Sequence, residues 1–188
     1  MSPVPPQKQE DERFPDLAPG KQCLVYNDPL NCPLQYLPEQ AFEHLLIVTF
    51  RTPSAVRESL ERLDVEMDGI GIVPLSASNV ASVESPCQTK AINPSDPTAL
   101  SVAYTEALDC LPDGDGWVVC ERMALLEMYL EDELVKRLIK HLTDRAAANG
   151  YRGIYELGLN SASTETIQTF EDTTDRSVDS SVVDLSLQ

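Results

Sequence analysis

A chain of 188 residues fits one domain, long enough to bury roughly 70% of the surface that its unfolded form exposes. Its formal charge of −17 repels phosphate backbones and anionic membranes, and no basic stripe offsets it, so nucleic-acid and membrane-surface binding are set aside. With 42% hydrophobic residues, disorder does not explain that charge.

The acids are spread over predicted helix faces and loops, and lysine is scarce: Lys8, Lys21, Lys90, Lys136 and Lys140. A salt-rich cytoplasm accounts for both features, because at about 1 M salt the Debye length falls to about 3 Å. Self-repulsion is then screened while a carboxylate-rich surface stays hydrated. The composition therefore predicts a halophilic, acidic protein.

Residues 1–20, with five prolines and the Glu10-Asp11-Glu12 cluster, read as a flexible leader to a single domain over 21–188. A buried strand is predicted at 22–26, followed by Asn27-Asp28-Pro29-Leu30-Asn31-Cys32-Pro33. A nucleotide-binding α/β protein places phosphates in that loop, on glycine N–H groups and a lysine. This loop has neither. It adds a carboxylate and two prolines that supply no N–H. A short helix is expected over 34–42 and a second strand over 45–50.

Thr52-Pro53 is a cap followed by a proline at the first helical position, where an N–H has no partner anyway. The helix runs to about residue 63 with Val56, Leu60 and Leu63 inward. Strand three is 70–73, and the Ser-, Asn- and Pro-rich stretch 76–95 reads as a long loop. Asp96-Pro97 repeats the cap and opens a helix to about residue 111. Strand four is 117–120. A helix over 131–149 places Leu134, Leu138, Ile139, Leu142 and Ala146 on one face, and Gly150 closes it. Strand five is 153–157, and 182–187 is expected as an edge strand.

Strands alternating with helices argue an α/β fold of three layers, a mostly parallel sheet with helices on both faces. Sites in such sheets lie beyond the carboxyl ends of the strands. The candidate cleft therefore comprises Asn27, Asp28, Arg51, Ser76, Cys120 and Glu121.

Three segments at these strand ends resemble the RecA/KaiC-type ATPase core. Leu46-Ile47-Val48-Thr49-Phe50-Arg51-Thr52-Pro53-Ser54 is similar to the second strand and helix start of KaiC-like proteins. Trp117-Val118-Val119-Cys120-Glu121-Arg122-Met123-Ala124-Leu125-Leu126 looks like the Walker B strand and the apolar segment after it. The helix at 131–149 with Gly150-Tyr151-Arg152-Gly153-Ile154-Tyr155 resembles the helix and strand that follow, and 164–187 is similar to the late turn and terminal strand. The resemblance spans about residues 20–187 and implies a RecA-like core, of haloarchaeal type given the acidity.

It also implies where catalysis is missing. No G-x-x-x-x-G-K-[ST] occurs in the chain. Arg51 stands where the family has its water-activating glutamate. Cys120 stands in place of the Walker B aspartate, with Glu121 one residue late. A one-residue slip turns Glu121 to the opposite sheet face unless it lies just past the strand. Losing phosphate loop, metal ligand and base together removes most of what phosphoryl transfer relies on. The resemblance thus implies a degenerate, non-catalytic regulatory or interaction protein with no cofactor. Its partner would be a protein, such as an ATPase of the same superfamily, and self-association is open. A nucleotide or anion sensor that binds without hydrolysis is the alternative, and a weak NTPase ranks third.

Other constellations carry less. Cys23, Cys32, Cys87, Cys110 and Cys120 are odd in number and lack metal-site spacing. They read as free thiols in a reducing cytoplasm, with Cys23, Cys110 and Cys120 acting as small hydrophobes. Asp28, Glu121 and Glu156 are conceivable metal ligands, but coincidences are expected in so acidic a chain, and no metal is assigned. Arg51 is expected to pair with Glu121 rather than stand free, and Arg51→Glu is expected to leave stability nearly intact. No secretory signal pattern or apolar run of about 18 residues occurs, so a cytoplasmic location is expected.

Overall fold

The computed structural model describes residues 17–28, 30–81, 87–158 and 160–180. Within them lie β1 (Gln22–Asn27), β2 (Leu45–Thr49), β3 (Ile70–Pro74), β4 (Trp117–Cys120), β5 (Arg152–Gly158) and β6 (Arg176–Asp179). They form one sheet of order β3-β2-β4-β5-β1-β6, and every pair is parallel. The helices are α1 (Pro53–Arg62), α2 (Pro97–Leu108), α3 (Asp132–Ala148) and α4 (Thr164–Thr173).

The sheet is apolar on both faces because its strands carry unbroken apolar runs, and alternation sorts the side chains. Leu24, Leu46, Val48, Val118, Cys120, Tyr155 and Leu157 pack under α2, α3 and α4. Cys23, Val25, Leu45, Ile47, Val119 and Ile154 pack under Val56 and Leu60 of α1 and under Leu34 and Leu37. The expected three layers are present. Among the described residues the second face, however, is covered by a single α-helix and two 3-10 turns.

Those turns, Pro33–Tyr36 and Glu39–Glu43, replace the short helix expected over 34–42. Pro38 is the cause. It lacks an N–H and pushes the residue before it out of helical space. Leu37 and Pro38 are both extended, with ψ of 143° and 153°.

Two helix starts form as expected. The Thr52 hydroxyl accepts from the Ala55 N–H at 3.3 Å, and the Asp96 carboxylate accepts from the Ala99 N–H at 2.9 Å. Helix α2 stops at Leu108, short of residue 111, and Leu63 and Leu134 are exposed rather than inward. Val135 takes the buried place on α3. The expected strand at 182–187 lies outside the described residues, and the edge strand beside β1 is β6. Helix α4 was not expected. It buries only Thr166 and Phe170, so its apolar period is faint in the sequence.

Leu17 is in the core, its carbonyl accepts from Arg152 Nε at 2.6 Å, and the Gly20 N–H donates to the Gly150 carbonyl.

Candidate functional site

The alternation that builds the α1-side core also places four polar side chains at its carboxyl end. Continuing each strand by two residues leads from Val25 to Asn27, from Ile47 to Thr49, from Val119 to Glu121 and from Ile154 to Glu156. All four are buried, with Glu121 1% exposed. Burial at this depth requires partners.

Glu121 has them. Its carboxylate accepts from the Thr49 hydroxyl at 2.6 Å, from Arg51 Nε at 2.9 Å and from Arg51 Nη2 at 2.6 Å. The forked, bidentate pairing is the geometry that guanidinium and carboxylate favour. Arg51 Nη1 donates to the Ser59 hydroxyl at 2.8 Å, and the Arg51 N–H donates to Thr49. Burial works against the charge on Arg51, but the Glu121 carboxylate outweighs it and holds the guanidinium above its ordinary pKa. The expected pairing of Arg51 with Glu121 is therefore present.

Glu156 forms a second node. It accepts from Asn27 Nδ2 at 3.0 Å and from the Arg122 N–H at 3.1 Å, while Ser180 donates to Asn27 Oδ1 at 2.9 Å. Burial raises the pKa of Glu156 and nearby Glu121 adds to that, against the opposing pull of its two donors. Arg122 adopts a left-handed backbone conformation, with φ 54°. This turns the chain sharply after Glu121 and aims the Arg122 N–H at Glu156.

Above both nodes lies a cavity of about 160 Å³, lined by Leu30, Cys32, Pro33, Arg51, Glu121 and Glu156, with Asn31 and Arg122 at its sides. The loop after β1, which lacks the glycines and lysine of a phosphate cradle, folds over the arginine with Cys32 and Pro33. Burial raises the Cys32 thiol, and the Arg51 charge opposes that rise. A larger cavity, of about 540 Å³, opens at the other end of the sheet, beside His44, Gly69 and Ile70.

Of the six candidate residues, Arg51 and Glu121 line the smaller cavity and Asn27 lies against it through Glu156 and Asn31. Asp28 is exposed and accepts from the Leu30 N–H of its own turn. Ser76 follows β3 and accepts from the Ser78 N–H. Cys120 points to the opposite face of the sheet, so it shares no cavity with Glu121. Glu121 does lie just past the strand, and it faces the cleft. Among the described residues no three His, Cys, Asp or Glu groups converge as metal ligands.

No family model matches the sequence, and no curated protein matches it. Among solved structures, the chain is similar to a KaiC-like protein from the hyperthermophilic archaeon Pyrococcus horikoshii OT3. The TM-score is 0.61 at 13% identity, over 86% of this chain and 73% of that one. The fold is RecA-like. Identity this low carries the fold alone.

Thr49, Ser59, Cys32 and Ser180 complete the network without having been singled out from the sequence. For Thr49 and Glu156 a signal existed: each is the polar residue on the α1-side register of a strand whose earlier members are apolar. Cys32, Ser59 and Ser180 reach the cleft through tertiary packing, which no local pattern encodes.

Proposed function

We propose that this protein is a non-catalytic regulatory or interaction protein built on a degenerate RecA-like scaffold. The observation that carries the reading is the filled strand-end cleft. The cavity of about 160 Å³ falls short of the roughly 300–1,000 Å³ of small-molecule sites. Among the described residues no α-helix follows β1, so no helix N-terminus is there to receive a phosphate. The loop supplies no glycine or lysine in its place.

The rim of the cleft suits a protein partner. Leu30 is 92% exposed, Met128 is exposed, and Tyr129 stacks on Phe50, the neighbour of Arg51, with ring centres 6.0 Å apart. We infer an ATPase of the same superfamily as the partner class, met in a salt-rich cytoplasm. A second reading, a nucleotide or anion sensor without turnover, draws support from Arg51 and Arg122 at the cavity. Against it, three of the Arg51 donors are already engaged by protein groups. A weak NTPase remains third.

Thermal melts in molar KCl with and without millimolar Mg-ATP, Mg-ADP and Mg-GTP test the reading. A ligand at 100 times its Kd adds about 2.7 kcal/mol, or roughly 5–11 °C for a domain of this size. No shift is the expected result. A shift of that size overturns the interaction reading in favour of the sensor.

A further inference from the structure

Two cysteines that the sequence separates meet at one end of the molecule. Cys87 lies in the segment after β3, and Cys110 lies just beyond α2; both line the larger cavity, where Cys110 is the neighbouring group that acts on the Cys87 thiol. Cys110 is exposed, not the buried hydrophobe expected, and Cys87 is half-buried. Gly71 leaves room for Cys87 against β3: a methyl group there would stand 3.2 Å from Cys87 Cβ.

What Cys87 is attached to gives the contact a consequence. β3 is an edge strand of the sheet, and such an edge offers unpaired backbone groups to other chains. Here the segment after Cys87 covers it. The Thr89 N–H donates to the Ile72 carbonyl at 3.0 Å, the Ile92 N–H to the Pro74 carbonyl at 2.8 Å, and the Ser76 N–H to the Ile92 carbonyl at 2.9 Å. Leu75 and Ile92 form a parallel bridge.

We propose that Cys87 and Cys110 form a reversible disulfide that fastens the 87–92 segment over the free edge of β3. The co-reactant is a low-molecular-weight disulfide. The exposed Cys110 thiolate attacks one of its sulfurs, giving a mixed disulfide and one free thiol. The Cys87 thiolate then attacks the Cys110 sulfur and releases the second thiol. Two protein thiols are oxidised, one small disulfide is reduced to two thiols, and both protons go to the leaving thiolates. Burial, reinforced by the neighbouring Cys110, raises the Cys87 thiol to about 12, which makes the second step slow and faster at higher pH.

The experiment treats the full chain with oxidised glutathione at pH 8.5, blocks remaining thiols, and maps peptides without reduction. The expected result is a peptide cross-linked through Cys87 and Cys110, with three of the five cysteines still free, reversed by dithiothreitol and absent from Cys110→Ser. Amide exchange at Thr89 and Ile92 should slow at least tenfold in the oxidised protein. Five thiols still free, a stable mixed disulfide, or a cross-link between other cysteines would overturn the disulfide. Unchanged exchange at Thr89 and Ile92 in cross-linked protein would overturn the fastening.

Discussion

Replacing Arg51 with methionine isolates the central ion pair. Glu121 would keep its buried position but lose both guanidinium bonds, leaving the Thr49 hydroxyl as its side-chain donor. Breaking a buried pair by removing one partner costs about 3–5 kcal/mol, because the remaining charge is left uncompensated. At 2–4 °C per kcal/mol for a chain of this length, Tm should fall by roughly 6–20 °C. The reverse change, Glu121→Gln, should cost less, about 1–3 kcal/mol, because Arg51 is 16% exposed at the rim and can turn toward water. The double change Arg51→Met with Glu121→Gln should recover to within about 2 kcal/mol of the parent, since neither charge is then stranded. Urea melts of the four proteins in molar KCl complete the cycle. An Arg51→Met protein within about 1 kcal/mol of the parent, or a double variant as unstable as the sum of the singles, would refute the argument. The same burial corrects the expectation for Arg51→Glu: it sets a second carboxylate against Glu121 and is destabilising.

Glu156→Gln addresses the second node. The folded pKa of Glu156 lies above its ordinary 4.5, so the native state binds more protons than the unfolded chain in that window, and the parent gains stability as pH falls through it. The Tm difference between parent and variant should therefore move in the parent's favour from pH 7 toward pH 4.5; a difference that stays constant would contradict the burial argument. Gly69→Ala should cost about 3 kcal/mol or more, read as a lowered urea midpoint, because its Cβ would lie 2.2 Å from the Glu43 carbonyl oxygen, a backbone atom with no rotamer to yield. A variant with the parent's midpoint would show that the turn after Glu43 gives way freely.

Strands β1 to β5 were legible because each holds a short apolar run, while β6, Arg176-Ser177-Val178-Asp179, carries no such signal; two helices announced themselves through Thr52-Pro53 and Asp96-Pro97. The misreadings have local causes. Pro38 breaks the nine-residue helix expected over 34–42, and α4, rich in threonine and acid, has too few apolar residues to show a period. The site was legible to the same extent as the register. Arg51 and Glu121 could be paired from their strand ends. Cys120, expected in the cleft beside Glu121, turns away from it because adjacent residues on a strand face opposite ways. Which loop covers the arginine depends on packing between segments distant in sequence, and Cys32 over Arg51 carries no such signal.

The place of β1 in the sheet has a consequence for how the protein is made. It lies between β5 and β6, so among the described residues the first strand in chain order is flanked by the last two. Asn27 and its partner Glu156 are 129 residues apart. At about 5–20 residues per second, translation takes roughly 6–26 s to bring the second after the first. For that interval Cys23-Leu24-Val25 is an apolar strand on a nascent chain without the β5 and β6 partners it has in the sheet, and pairing of β1 waits until those strands have followed it.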